Sequence, residues 1–180
     1  MIAKMERDGR RGGFTLVEML VVVAIIAILA AILVPAVNGG LKSAKKRRAE
    51  VECQSIETAV RQFQSDFRYM PWGAYNEKKK MGEDKWAEDA ANQKNVMSFL
   101  QGSNVLQKAY LEVPDSGKGD GVFYDPWGKP YVIGMDRNGD GQLKWNGKTY
   151  KLAVMVYSCG PDGKDGSKDD IFSFDKNSGE

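Results

Sequence analysis

Histidine is missing from all 180 residues, and with it go His-based catalytic triads, most catalytic zinc sites and the commonest general base at neutral pH. Cysteine is nearly missing too. Cys53 and Cys159 lie far apart and fit no metal-ligand spacing, so they are either a disulfide or two buried thiols. Charge of one sign is also in short supply: 26 Lys and Arg against 24 Asp and Glu leave a net charge of +2, and no broad basic field that would draw nucleic acid. The one basic cluster, Lys42, Lys45, Lys46, Arg47 and Arg48, follows directly on an apolar run, where membrane headgroups are nearer neighbours than phosphodiesters. These absences weaken an enzyme reading from the outset. The length suits one compact domain with an appendage.

What is present is segregated. Met1 to Gly13 carry Lys4, Arg7, Arg10 and Arg11 and end in Gly12-Gly13, after which apolar character begins abruptly at Phe14. A secretory signal would place small residues for cleavage after the apolar stretch; there the chain reads LVPAVNGG, which disfavours such a cut near Ala36. From Phe14 to Val34 only Thr15 and Glu18 are polar. At ~1.5 Å per residue this run spans roughly the ~30 Å hydrocarbon core of a bilayer once. The leading basic residues favour a cytoplasmic N-terminus, although the cluster at 42–48 pulls the other way. Glu18 is the anomaly, since an ionised carboxylate in an apolar helix costs about 2 to 3 kcal/mol near the bilayer centre and less towards an end. A cut between Gly13 and Phe14 would create an α-amine one turn before Glu18, and a neighbouring chain's amine would serve equally. The plainer alternative is a carboxylate tolerated by the helix dipole at an N-terminus.

The segment RRGGFTLVEMLVVVAIIAILAAILVP resembles the class III signal of type IV prepilins and pseudopilins. The resemblance implies removal of residues 1–13 by a prepilin peptidase between Gly13 and Phe14, N-methylation of Phe14, and Glu18 as the glutamate at the fifth mature position. Pro35 fits the same pattern.

Pro35 and Gly39-Gly40 predict a kink or weak point between a membrane half of the first helix, 14–34, and an amphipathic half, 35–67. In the latter, Ala49, Cys53, Ile56, Val60, Phe63 and Phe67 recur at steps of three and four, a stripe that suits packing on the protein's own sheet. The helix should fade near Asp66, before Pro71. Residues 68–121 read as a variable region with a short helix from about Trp86 to Leu111 and a glycine-rich turn at DSGKGDG. From 122 to 180 the segments YVIGM, TYKLAVMVYS and DIFSF predict an antiparallel sheet. The expected fold class is α+β and pilin-like: a long N-terminal helix packed on a C-terminal antiparallel sheet, with the variable region between. The order FRYMPWG, YDPWGKPY, YSCGPDGKDGSKDDI resembles the major pseudopilin of type II secretion, with one extra residue inside the usual Arg-Tyr-Pro. This resemblance leaves out about residues 73–120 and 136–148.

The loop CGPDGKDGSKDD gathers Asp162, Asp165, Asp169 and Asp170 among glycines, an oxygen-rich setting that suits a hard cation. The family resemblance implies calcium held by the side chains of Asp162, Asp169 and Asp170 and the carbonyls of Cys159 and Lys164, with Asp165 unassigned. A solvated acidic turn balanced by Lys164 and Lys168 is the alternative. A second stretch, Asp136 to Leu143, opens like a calcium loop through Asp136, Asn138 and Asp140, but Gly147 stands where the twelfth-position Glu belongs, and a tight hairpin turn accounts for it. Trp72, Trp127 and Trp145 are expected at the core or its rim, and no pair of carboxylates can be placed across a cleft for glycoside hydrolysis.

Together these features imply a non-enzymatic, single-pass inner-membrane subunit with its C-terminal domain in the periplasm. Its helices would polymerise into a pseudopilus filament, with small residues Ala24, Ala27, Ala30 and Ala31 allowing close packing. The resemblance implies as partners a prepilin peptidase, minor pseudopilins, the inner-membrane secretion platform and membrane lipid. A type IV pilus or competence pseudopilus subunit, or a minor pilin-like binding subunit, are the alternatives.

Overall fold

The computed structural model describes residues 14–72, 84–113 and 120–179; the leader 1–13 and most of the glycine-rich turn at 115–121 lie outside the described residues. Helix α1 spans Leu16–Phe67 and runs without interruption through Pro35 and Gly39-Gly40. The chain divides into two compact units, 1–42 and 43–180.

In the first unit every described residue from Phe14 to Lys42 is exposed, including the apolar run Leu16, Val17, Leu20, Val23, Ile26 and Leu33. Such a helix is hydrophobic all round, which suits a lipid solvent and no packed water-soluble core. It is long and apolar enough to cross a membrane.

In the second unit, the later turns of α1 bury Ala49, Cys53, Ile56, Ala59, Val60 and Phe63 along one stripe. The expected stripe is therefore real as far as Phe63, with Phe67 half-buried at its end. Burying side chains of the size of Ile56 or Phe63 contributes about 1.5 to 3 kcal/mol each. The helix stops at Arg68, which takes a left-handed φ of 61° and bonds its N–H to the Gln64 carbonyl at 2.8 Å. That is a helix C-cap conformation on a non-glycine residue.

The stripe packs with residues of a four-stranded antiparallel sheet in the order β1-β2-β5-β6: β1 Lys85–Ala87, β2 Val132–Met135, β5 Val154–Ser158 and β6 Ile171–Phe172. A short helix, α2, spans Ala90–Leu100, capped by Asp89, whose carboxylate accepts from the Asn92 N–H at 2.7 Å. The sequence expectation of a helix from Trp86 to Leu111 is thus corrected at both ends. Trp86 belongs to a strand, where its ring covers Gly134 of β2: a Cβ there would lie 2.6 Å from the indole. Past Leu100 the chain turns at Gly102, with φ of 110°, and does not resume a helix.

TYKLAVMVYS is likewise two strands, with Lys151, Leu152 and Ala153 between them. Its front end forms β4, Lys148–Tyr150, paired with β3, Leu143–Trp145, as a separate hairpin. The turn between them is Asn146-Gly147, both at positive φ (48° and 77°), the combination a two-residue hairpin turn requires. Residues 136–142, expected to form a tight hairpin, instead connect β2 to β3, which pair with different partners.

Strand alternation sorts side chains into two cores. Val154 and Val156 join Cys53, Phe63 and Ile133 on the helix side, while Met155, Tyr157 and Cys159 join Tyr150, Trp145 and Phe172 on the other. Both cysteines are free: Cys53 is buried, with its thiol donating to the Ile171 carbonyl, and Cys159 is half-buried. Burial pushes the Cys159 thiol up to about 11.

Candidate functional site: an N-terminal helix cap and an acidic loop

Two regions carry the residues singled out from sequence. At the N-terminus, Phe14 is the first described residue, 74% exposed and ahead of the helix; Gly13 lies outside the described residues. Thr15 and Glu18 form a reciprocal cap. The Thr15 hydroxyl accepts from the Glu18 N–H at 3.2 Å, and the Glu18 carboxylate Oε2 accepts from both the N–H and the hydroxyl of Thr15 at 2.8 Å. This is the Thr-x-x-Glu capping box, which satisfies helix-start donors that have no partner within the helix. The plainer reading of Glu18, as a carboxylate suited to a helix start, therefore describes its contacts within this chain.

The acidic loop follows β5. Its entry is fixed by the DPWGK turn: Asp125 is buried and accepts from the backbone N–H groups of Trp127 and Lys129 at 3.0 and 2.9 Å. Its other oxygen accepts from the Ser158 hydroxyl, which in turn accepts from the Gly160 N–H at 3.0 Å. Gly160 takes φ of 63°, and a Cβ on it would lie 2.4 Å from the Asp169 carbonyl oxygen. A side chain has no room where the two ends of the loop meet.

Inside the loop, Asp162, Asp169 and Asp170 share one neighbour, the Ser167 hydroxyl, at 3.4, 2.5 and 3.0 Å from a carboxylate oxygen of each. A hydroxyl has a single proton to donate, so it satisfies one of these anions at a time. Asp162 also accepts from the Lys164 N–H at 2.9 Å, Asp169 from the Asp162 N–H at 3.2 Å and Asp170 from the Gly166 N–H at 2.9 Å. The Ser167 hydrogen bond draws the Asp169 carboxyl below its ordinary range, whereas burial pushes that of Asp170 up. Lys164 is exposed, and Cys159 sits where β5 enters the loop.

The donor chemistry suits a hard cation: all oxygen, three carboxylates from one short loop, gathered about one atom. Among the described residues no group of three or more His, Cys, Asp and Glu side chains is arranged to hold a metal. Asp165 stands apart, accepting from the Trp145 indole N–H at 3.2 Å. Sequence reasoning assigned no role to Ser167; its position between Asp162 and the Asp169-Asp170 pair in DGKDGSKDD is the signal that marks it.

At the second candidate loop, Asp136 accepts from the N–H groups of Gly139 and Gly141 at 2.6 and 2.8 Å. Asn138 and Asp140 bond to each other. The carboxylate of Asp136 is thus engaged by its own backbone turn.

A membrane-length exposed helix opened by a Thr-x-x-Glu cap just after Phe14, with its later turns packed on an antiparallel sheet, makes an α+β, pilin-like fold. The family model of the prokaryotic N-terminal methylation motif matches residues 8–34. Along most of its length the chain is similar to type II secretion system core protein G. It is 27% identical to that of Pectobacterium carotovorum subsp. carotovorum over 90% of this chain and 83% of the relative. It is 26% identical to that of Escherichia coli (strain K12) over 93% of each, and 28% identical to that of Dickeya chrysanthemi over 97% and 92%. No solved structure matches the chain.

Proposed function

We propose that this chain is a structural, non-enzymatic subunit that polymerises through its N-terminal helices into a periplasmic pseudopilus for type II protein secretion. The observation that carries this reading is the fully exposed apolar helix beginning immediately after Gly13-Phe14 with Glu18 in its first turn. Similarity to type II secretion system core protein G, together with the methylation motif, supports the secretion assignment over a surface pilus.

In the membrane, before assembly, Thr15 satisfies Glu18 through Oε2, which lowers the cost of holding a carboxylate in an apolar setting. A prepilin peptidase then removes residues 1–13, and the new α-amine of Phe14 becomes N-methylated. Glu18 next accepts a cationic amine from a neighbouring chain through its remaining oxygen. Lipid already solvates the apolar side chains, so cohesion comes from close packing at Ala24, Ala27, Ala30 and Ala31 and from this paired charge. Minor pseudopilins and the inner-membrane platform are the further partners, and the soluble domain faces the periplasm. Calcium, held by Asp162, Asp169 and Asp170 with carbonyls of Cys159 and Lys164, would neutralise the carboxylates that now share one hydroxyl proton and lock the loop.

Two measurements test this. Intact mass of the protein extracted from membranes should show loss of residues 1–13 and one added methyl; a chain beginning at Met1 overturns the processing step. Glu18→Gln keeps an amide oxygen within reach of Thr15 but removes the charge, and filament formation should fail. If Glu18→Gln assembles normally, Glu18 serves only as a cap.

A further inference from the structure

The hairpin β3–β4 lies in the stretch 136–150 that the family resemblance largely leaves out, yet the acidic loop is tied to it. The Trp145 indole N–H lies 3.0 Å from the Tyr157 hydroxyl and 3.2 Å from Asp165 Oδ1, so it is shared between a strand of the sheet and the loop. The Trp145 ring is fixed in turn by edge contacts with Phe172 and Tyr157, at centroid distances of 5.0 and 5.5 Å. On the other side of Asp165, Gly166 lies against Asn146 of the hairpin turn and bonds its N–H to Asp170. Asp165 thus stands between the loop residues gathered at Ser167 and an aromatic cluster on the outer face of the sheet.

We propose that Asp165 is a positioning residue that docks the acidic loop onto the β3–β4 hairpin through Trp145, so that calcium binding in the loop and seating of the hairpin are energetically linked. This rests on the calcium reading above. Asp165 is engaged by a neutral donor outside the gathered oxygens, so its contribution is to hold the loop's curvature while Asp162, Asp169 and Asp170 would supply the ligands. A group that orients ligands without touching the metal typically changes affinity by about 10- to 100-fold when removed. Linkage also runs in reverse: the filled loop should hold the hairpin more firmly.

The test is calorimetric titration of the full chain in detergent with calcium chloride, together with tryptophan emission and amide hydrogen exchange across residues 143–150. Wild type should bind calcium, shift its emission and slow exchange in the hairpin. Asp165→Ala and Trp145→Phe, which remove the acceptor and the donor, should each weaken binding by about tenfold or more. The emission shift should vanish in Trp145→Phe. Asp165→Asn retains a carbonyl acceptor and should bind within about twofold of wild type, the conservative replacement rescuing the tether. If Asp165→Asn binds as weakly as Asp165→Ala, the residue acts through its charge and the positioning role is overturned. If all variants bind like wild type with hairpin exchange insensitive to calcium, the linkage fails while the calcium reading stands. No heat with wild type overturns both.

Discussion

Tyr131, just ahead of β2, donates its phenolic proton to Glu52 of α1, 79 residues earlier in the chain. The same carboxylate holds the Arg48 guanidinium at 2.8 Å. Burial raises the Tyr131 phenol well above its ordinary range, so it remains a donor throughout the neutral region. Replacing Tyr131 with Phe should cost about 1.5 to 3 kcal/mol, the range for a hydrogen bond to a charged group. Urea unfolding followed by circular dichroism reads this directly, and an unchanged midpoint would show that Arg48 alone satisfies Glu52.

Gly160 and Gly128 provide a matched comparison, because both hold positive φ (63° and 84°) but differ in surroundings. Around Gly128 a Cβ meets nothing within 4 Å, whereas at Gly160 it would lie 2.4 Å from the Asp169 carbonyl. Gly128→Ala should therefore cost only left-handed strain, about 1 to 2 kcal/mol. Gly160→Ala should cost more and disturb the loop, weakening the proposed calcium binding as well. Equal melting temperatures for the two variants would contradict the closeness of the loop ends.

Asp66, in the last turn of α1, accepts from Lys108 at 2.6 Å and from the Tyr110 hydroxyl at 2.7 Å. The Lys108 hydrogen bond, then that of Tyr110, holds its carboxyl below the ordinary carboxylate range. The Tyr110 phenol is pushed up to about 12, by burial first and then by Asp66. A depressed acid contributes stability in full above its unfolded pKa of about 3.9 and loses it as pH falls through the lower folded value. Melting curves of wild type and Asp66→Asn should differ at neutral pH and converge under acid; a gap that persists at the lowest pH would assign the effect to packing.

The helical stripe from Ala49 to Phe63 was legible because its apolar side chains repeat at the helix period and bury on one sheet face. The strands at 132–135, 154–158 and 171–172 were legible for their β-branched and aromatic content. Trp86 reads as helical from sequence because its strand is three residues long and owes its identity to pairing with β2, a contact no local pattern encodes. The hairpin at Asn146-Gly147 is masked in the sequence by a competing turn signal at Asp136 to Asp140, although Asn-Gly is itself a strong one. The cysteine question was settled by alternation along β5 and the sheet side that Cys53 occupies, which sequence separation alone does not reveal. In the acidic loop the carboxylates were visible and their meeting point was not, because convergence on Ser167 depends on how Gly160, Gly163 and Gly166 turn the backbone.

The sheet's outermost strands are very short: three residues in β1 and two in β6. A bare strand margin offers unpaired amides and carbonyls to any other chain, and brevity is one of the ways natural proteins blunt that template. In the proposed filament, where copies of the subunit are brought close together, this matters more than usual. Stunted margins disfavour amyloid-like zippering and so favour association through the greasy N-terminal rod, the route the proposed filament uses.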